Sequence, residues 1–174
     1  RDAALDAEVT LDIATTDNGP DQRQLSIEGQ GSVQSKPLQL SLTGGPPSQA
    51  LASGAPYAVE LDAQLGDIQA HFNGEAKQLP QLDTLQGKLT VSAPDSAELM
   101  AFDNPAIDVP AFDFNTQLKR DGQRWALQDV DLKTGESHLT GSLILERGET
   151  PELNVHMQGN RLDLNRWGVM RLLN

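Results

Sequence analysis

Apolar side chains fall on every second position over most of this chain, and that period belongs to strands with one buried face. The longest such stretch runs from Phe112 to Leu164. In it Phe112, Phe114 and Leu118, then Leu139, Leu143 and Leu145, then Leu153, Val155 and Met157 alternate with polar residues. Turn-forming clusters separate the runs, so the stretch reads as a β-meander.

The same habit fills the first half. Leu5, Ala7, Val9, Leu11 and Ile13 alternate with Asp6, Glu8, Thr10 and Asp12, and Asp17-Asn18-Gly19-Pro20 closes that strand with a hairpin signal. A second strand spans Leu25 to Val33, Lys36-Pro37 breaks the run, and Leu38, Leu40 and Leu42 resume it up to Gly44-Gly45-Pro46-Pro47. Tyr57 to Leu65 and Ile68 to Ala76 form a further pair about Gly66-Asp67, and Gly87 to Ala93 makes a sixth strand. In the second half, Arg120-Asp121-Gly122 and Thr134-Gly135-Glu136 are predicted turns, Trp125 to Leu132 a strand, and Arg147 to Thr150 the last hairpin loop. Asp95 with Glu98 three residues on has capping-box spacing and predicts a short helix near 95–102. Gly31-Ser32-Val33 with the run from Pro37 to Gly44 is echoed by Gly141-Ser142-Leu143 with the run from Pro151 to Gly159, at irregular spacing. The expectation is a single all-β domain over 1–174. It is an extended, curved antiparallel sheet folded into a groove or half-barrel, with 112–164 its most patterned part.

A chain of 174 residues is long enough for a core, but aromatics are only 4%, so the apolar layer is thin and aliphatic. Lys and Arg number 13 against 25 Asp and Glu, a net −12 that repels phosphate backbones and argues against nucleic acid. The absence of Cys excludes thiolate chemistry and Cys-ligated metals. No run approaches about 18 apolar residues, and Arg1 opens straight into a strand pattern without a signal-peptide profile, so a soluble segment of a longer chain is expected.

Catalytic patterns are sparse. Asp129 and Asp131, two apart on a strand, share a face on plain alternation and are the one carboxylate pair suited to acid–base or cation chemistry; a solvated strand face explains them as well. His71, His138 and His156 each stand alone in sequence on polar-face positions, with no second His at metal spacing. There is no G-x-S-x-G elbow and no phosphate loop. Gly29-Gln30-Gly31 inside a strand marks a bulge or the close approach of another backbone. Trp125 reads as core, and Trp167 as packing against a neighbouring element. No catalytic residue, metal or cofactor is expected.

The run from Leu118 to Val130, with Gly122-Gln123-Arg124-Trp125-Ala126-Leu127-Gln128-Asp129, is followed by Gly135-Glu136-Ser137-His138-Leu139-Thr140-Gly141-Ser142-Leu143. Pro151-Glu152-Leu153 and Leu162-Asp163-Leu164 come next. This order resembles the AsmA family of bacterial envelope proteins, as do Pro56-Tyr57-Ala58-Val59 and the run from Leu85 to Val91, so that the likeness covers roughly 25 to 165. The resemblance implies a periplasmic β-sheet of a Gram-negative envelope protein, held in the inner membrane by an N-terminal anchor that this sequence lacks. It further implies a role in outer-membrane biogenesis through lipid transport, with phospholipid acyl chains guided along an apolar face. The residues expected to face lipid are Leu89, Val91, Phe112, Phe114, Leu118, Leu139, Leu143, Leu145, Leu153, Val155 and Met157.

Two other readings compete. A closed β-sandwich would place a binding or adhesion function in loops such as Pro46 to Gly54 or Asn104 to Pro110. A glycosidase would need Asp129 and Asp131 in a cleft. Unpaired edge strands also predict that the isolated segment dimerises through an edge.

Overall fold

The computed structural model describes residues 7–17, 23–33, 35–46, 49, 55–77, 83–94, 111–148 and 150–160. They form ten strands: β1 (Ala7–Asp17), β2 (Arg23–Val33), β3 (Lys36–Gly44), β4 (Tyr57–Leu65), β5 (Ile68–Lys77), β6 (Thr84–Ala93), β7 (Phe112–Asp121), β8 (Arg124–Thr134), β9 (Ser137–Glu146) and β10 (Glu152–Gly159). All ten belong to one antiparallel sheet in sequence order, each strand paired with the one before it. The sheet is curved and does not close into a barrel, so β1 and β10 are edges among the described residues. No second sheet packs on the first among those residues, which replaces the sandwich alternative with a single layer. The predicted helix near 95–102, the Asn18-Gly19 turn, Trp167 and the Leu162-Asp163-Leu164 run lie outside the described residues.

Tight turns set the register. Gly66, Gly122 and Gly135 take positive φ (58°, 58° and 54°) at the first position of two-residue loops, the backbone that a right-twisted hairpin needs. The second and third of these turns are shorter than the sequence suggests. Arg120 and Asp121 remain in β7 opposite Trp125 and Arg124, and Thr134 remains in β8 opposite Ser137. Likewise the break expected at Lys36-Pro37 falls one step earlier, with Ser35 at φ 65° and Pro37 inside β3 opposite Ser32.

β8 carries one extra residue. Leu127 pairs with Leu143 but Val130 pairs with Gly141, so Gln128 and Asp129 together oppose a single residue, and Asp129 adopts φ 51°. Thr116, 3% exposed, donates from Oγ1 to the Gln128 carbonyl at 2.8 Å and ties the bulge to β7. The bulge keeps Val130 and Leu132 on the apolar side after Leu127. Asp129 occupies the bulge itself with Gln128 opposite Ser142, and Asp131 stands opposite Thr140, so the spacing of the two carboxylates is set by the bulge and not by plain alternation.

Burial is shallow. Among the described residues only Tyr57, Phe72, Ala76, Ala93, Ala126, Val130 and Leu139 are buried apolar residues, and no large side chain is completely buried. Tyr57, 2% exposed, lies over Gly44 and donates its hydroxyl hydrogen to the Gly45 carbonyl at 2.7 Å, anchoring the start of β4. Burial holds its phenol above the ordinary tyrosine range by disfavouring the phenolate. A raised folded pKa means that this contribution is complete below the unfolded value near 10 and is lost as pH rises through the folded one. Tyr57 is the one tyrosine of the chain, so phenolate absorbance reports it alone. The titration midpoint is expected above that of the urea-unfolded chain, with stability falling across that alkaline window; coincident midpoints would contradict the burial.

Candidate functional site

Alternation along each strand and the register between strands together define one face. Leu11, Gly29, Leu40, Ala63, Ala70, Val91, Phe114, Leu132, Leu139 and Gly159 stand opposite one another in an unbroken row across all ten strands. The adjacent row, Ile13, Ile27, Leu42, Leu61, Phe72 and Leu89, is also apolar as far as Thr116. Nine inter-strand gaps at about 4.8 Å make this surface about 43 Å across. Within β4 the face residues Val59, Leu61, Ala63 and Leu65 are half-buried by their lateral neighbours, while Ala58, Glu60, Asp62 and Gln64 between them are exposed.

At both ends the apolar face is open to solvent. Val9, Leu11 and Ile13 of β1 are 44%, 56% and 69% exposed, and Leu153 and Val155 of β10 are 60% and 55% exposed. A contiguous aliphatic surface of this kind is a candidate interaction face.

All eleven residues expected to face lipid lie on this one face: Leu89 and Val91 on β6, Phe112, Phe114 and Leu118 on β7, Leu139, Leu143 and Leu145 on β9, Leu153, Val155 and Met157 on β10. Leu139 is buried, and the others are half-buried or exposed. The apolar face continues beyond these eleven residues, through Leu61, Leu42, Leu40, Ile13 and Leu11 to the far edge. Their alternation carries the same signal in the sequence as that of β6 to β10.

Glycines interleave with the large residues. Gly74 and Gly87 stand opposite each other, and a Cβ on either would lie 2.7 or 2.8 Å from Cζ of Phe72, whose ring therefore spreads over both. The same device brings β1 against β2: a Cβ at Gly31 would meet the Glu8 carbonyl and lie 2.8 Å from Val9 Cα. Here glycine marks the close backbone approach that its place inside a strand predicted.

The opposite face is wet. Gln30, Gln39, Gln64 and Gln69 face one another in a ladder across β2 to β5. With Glu28, Ser41, Asp62, His71, Thr90 and Ser92 they line a groove of about 390 Å³ that is mainly polar, with Leu40, Ala63 and Ala70 also contributing to its wall.

Two of the three histidines are not isolated in space. His71 Nδ1 is 2.7 Å from Asp62 Oδ1 across the β4–β5 hairpin, and His138 Nε2 is 3.0 Å from Asp131 Oδ2 across β8–β9. The two-residue turn at Gly66-Asp67 sets residue 62 opposite 71, a juxtaposition that residue-by-residue spacing misses. One oxygen each from Glu60 and Asp62 and a nitrogen of His71 lie within 4.8 Å of one another. Glu60 and Asp62 are exposed, and His71 is already bonded to Asp62. A hydrogen bond on a solvated strand face accounts for the group. Asp131 Oδ1 is buried without a hydrogen-bond partner and sits 3.8 Å from Lys133 Nζ, a loose charge contact.

Trp125 lies at one margin of the apolar face with the Arg120 guanidinium 4.9 Å above its ring. Among the described residues no helix is long and apolar enough to cross a membrane. Protein-family models, curated proteins and solved structures yield no match to this chain.

Proposed function

We propose that this chain is a non-catalytic segment of an AsmA-like, periplasmic envelope protein whose apolar sheet face receives phospholipid acyl chains and guides them in outer-membrane biogenesis. One observation carries the reading: an uninterrupted apolar face crosses ten strands, no second sheet covers it among the described residues, and its aliphatic side chains are exposed at both ends. The ordered motifs between Leu118 and Leu164 support the family assignment, with the inner-membrane anchor belonging to the intact protein. An acyl chain laid on such a surface gains about 0.8 kcal/mol for each CH₂ removed from water. The lining suits that ligand because it is aliphatic and carries few rings and few charges, so a flexible hydrocarbon meets no fixed shape.

Saturable displacement of a fluorescent fatty acid by phospholipid is the expected result, together with phospholipid retained by the protein in native mass spectrometry. Leu42 and Leu61 stand opposite each other on β3 and β4 of the face, and replacing both by Gln is expected to weaken binding about tenfold. Gln39→Lys with Gln64→Lys on the wet face leaves it unchanged. Absence of saturable displacement with a folded protein would overturn the reading. Binding that is sensitive only to the wet-face pair would move the ligand to the polar groove.

A further inference from the structure

The two edges of the sheet are built to meet. β1 has only β2 beside it and β10 only β9, so each presents a row of backbone N–H and C=O groups with no strand to receive them among the described residues. The usual protections are thin. Neither strand contains Lys or Pro, and each holds its most exposed aliphatic residues on the same face of the sheet. The Asn160 N–H bonds to the His138 carbonyl. Antiparallel alternation then directs the even-numbered residues of β10 towards β9 and leaves the backbone groups of Leu153, Val155 and Met157 pointing outwards.

We infer that β10 of one molecule pairs with β1 of a second copy, head to tail, continuing the sheet across the molecular boundary. In an up-and-down sheet of ten strands, first and tenth run antiparallel, so a second copy adds its β1 to β10 as the next strand of the meander. Keeping both apolar faces on one side requires odd-numbered residues to oppose odd-numbered ones. Of the registers this allows, one sets Asp12 opposite His156. There Ile13 meets Val155, Leu11 meets Met157, and Val9 covers Gly159, as it already stands opposite Gly31. The Asp–His contact reproduces the directly opposite Asp62 and His71 of β4 and β5, and Asp131 with His138 makes the same contact diagonally across β8 and β9. A shift of four residues would set Asp12 against Glu152 instead, a like-charge pair.

Charge selects this pairing over a symmetric β1–β1 pair. The wet side of β1 carries Glu8 and Asp12, with Glu28 directly behind Asp12, and a second β1 would double that negative charge. β10 brings a histidine and one carboxylate. The contact is heterologous, so it builds open chains of copies unless curvature closes a ring. The net charge of −12 on each copy opposes assembly, which is therefore expected to strengthen with added salt.

Edge-blocked variants test it by analytical ultracentrifugation. Leu11→Lys with Ile13→Lys blocks β1; Leu153→Lys with Val155→Lys blocks β10; all four positions are exposed, and circular dichroism checks that both variants fold. The wild type is expected to show a concentration-dependent series of oligomers. Each variant alone is expected to be monomeric, and an equimolar mixture to form a dimer that grows no further, because each member supplies the edge the other lacks. His156→Asp is expected to raise the dissociation constant about fivefold, with Asp12→His added to it restoring association. A monomeric wild type at high concentration, self-association of either blocked variant, or a mixture that stays monomeric would each overturn the inference. It does not rest on the lipid reading, and the ultracentrifuge runs contain no lipid.

Discussion

Replacing Phe72 by Ala lowers the stability of this sheet by about 3 to 5 kcal/mol, seen as a fall in the urea midpoint at unchanged slope. The ring is 6% exposed, the deepest aromatic ring on the apolar face apart from Tyr57 among the described residues. It stands between Leu61 and Leu89 and spreads over Gly74 and Gly87, which have no side chains of their own to cover their backbone. Truncation therefore opens three strands to water at once. Phe72→Leu is expected to recover about half of the loss, because a branched aliphatic reaches the neighbouring leucines but not across both glycines. Against a typical total stability of about 5 to 15 kcal/mol, the Ala variant sits near the threshold of folding. A loss below about 1 kcal/mol would show that the ring does not carry this contact.

Gly87→Ala is the second large effect. A Cβ there would stand 2.5 Å from Gly74 Cα and 2.8 Å from Phe72 Cζ, and would press on the Asn73 carbonyl. β6 is held on both sides, by β5 and by β7, so its backbone cannot retreat from one ladder without straining the other. The expected loss is about 2 to 3 kcal/mol, with cooperative unfolding of the whole sheet. Gly31→Ala provides the contrast. It makes the same kind of clash, against the Glu8 carbonyl and Val9 Cα, but β1 is an edge and is free to detach. Amide exchange is expected to accelerate across β1 and the side of β2 that faces it, with β5 to β9 unchanged. Equal acceleration throughout the sheet in the Gly31 variant would refute this division into edge and centre.

The strands were legible because each rests on a local property. Val59, Leu61, Ala63 and Leu65 announce their face by position alone, and Gly66-Asp67 announces the hairpin that follows, since a positive φ at Gly66 is available at little steric cost. The bulge in β8 was present in the spacing of Leu127 and Val130, three apart where two would be regular, and was obscured by the plausible pairing of Asp129 with Asp131. The histidine partners were hidden for a different reason. Asp62 and His71 are nine residues apart and become neighbours only when the turn length fixes the register, so neither residue carries the signal by itself. The residues expected to face lipid lie on β6, β7, β9 and β10, where the motif resemblance is, although β1 to β5 carry the identical alternation.

The sequence alone determined that strands with one dry and one wet face form throughout the chain, because a period of two is written in each segment independently of its neighbours. The tertiary structure decided which strands lie side by side where long connections intervene, β3 with β4 and β6 with β7. It thereby decided that ten such strands make one open sheet and not two that close on each other. A sandwich and a single layer require the same alternation. They differ only in what covers the apolar face, and that is settled by packing between distant segments, which no local pattern records.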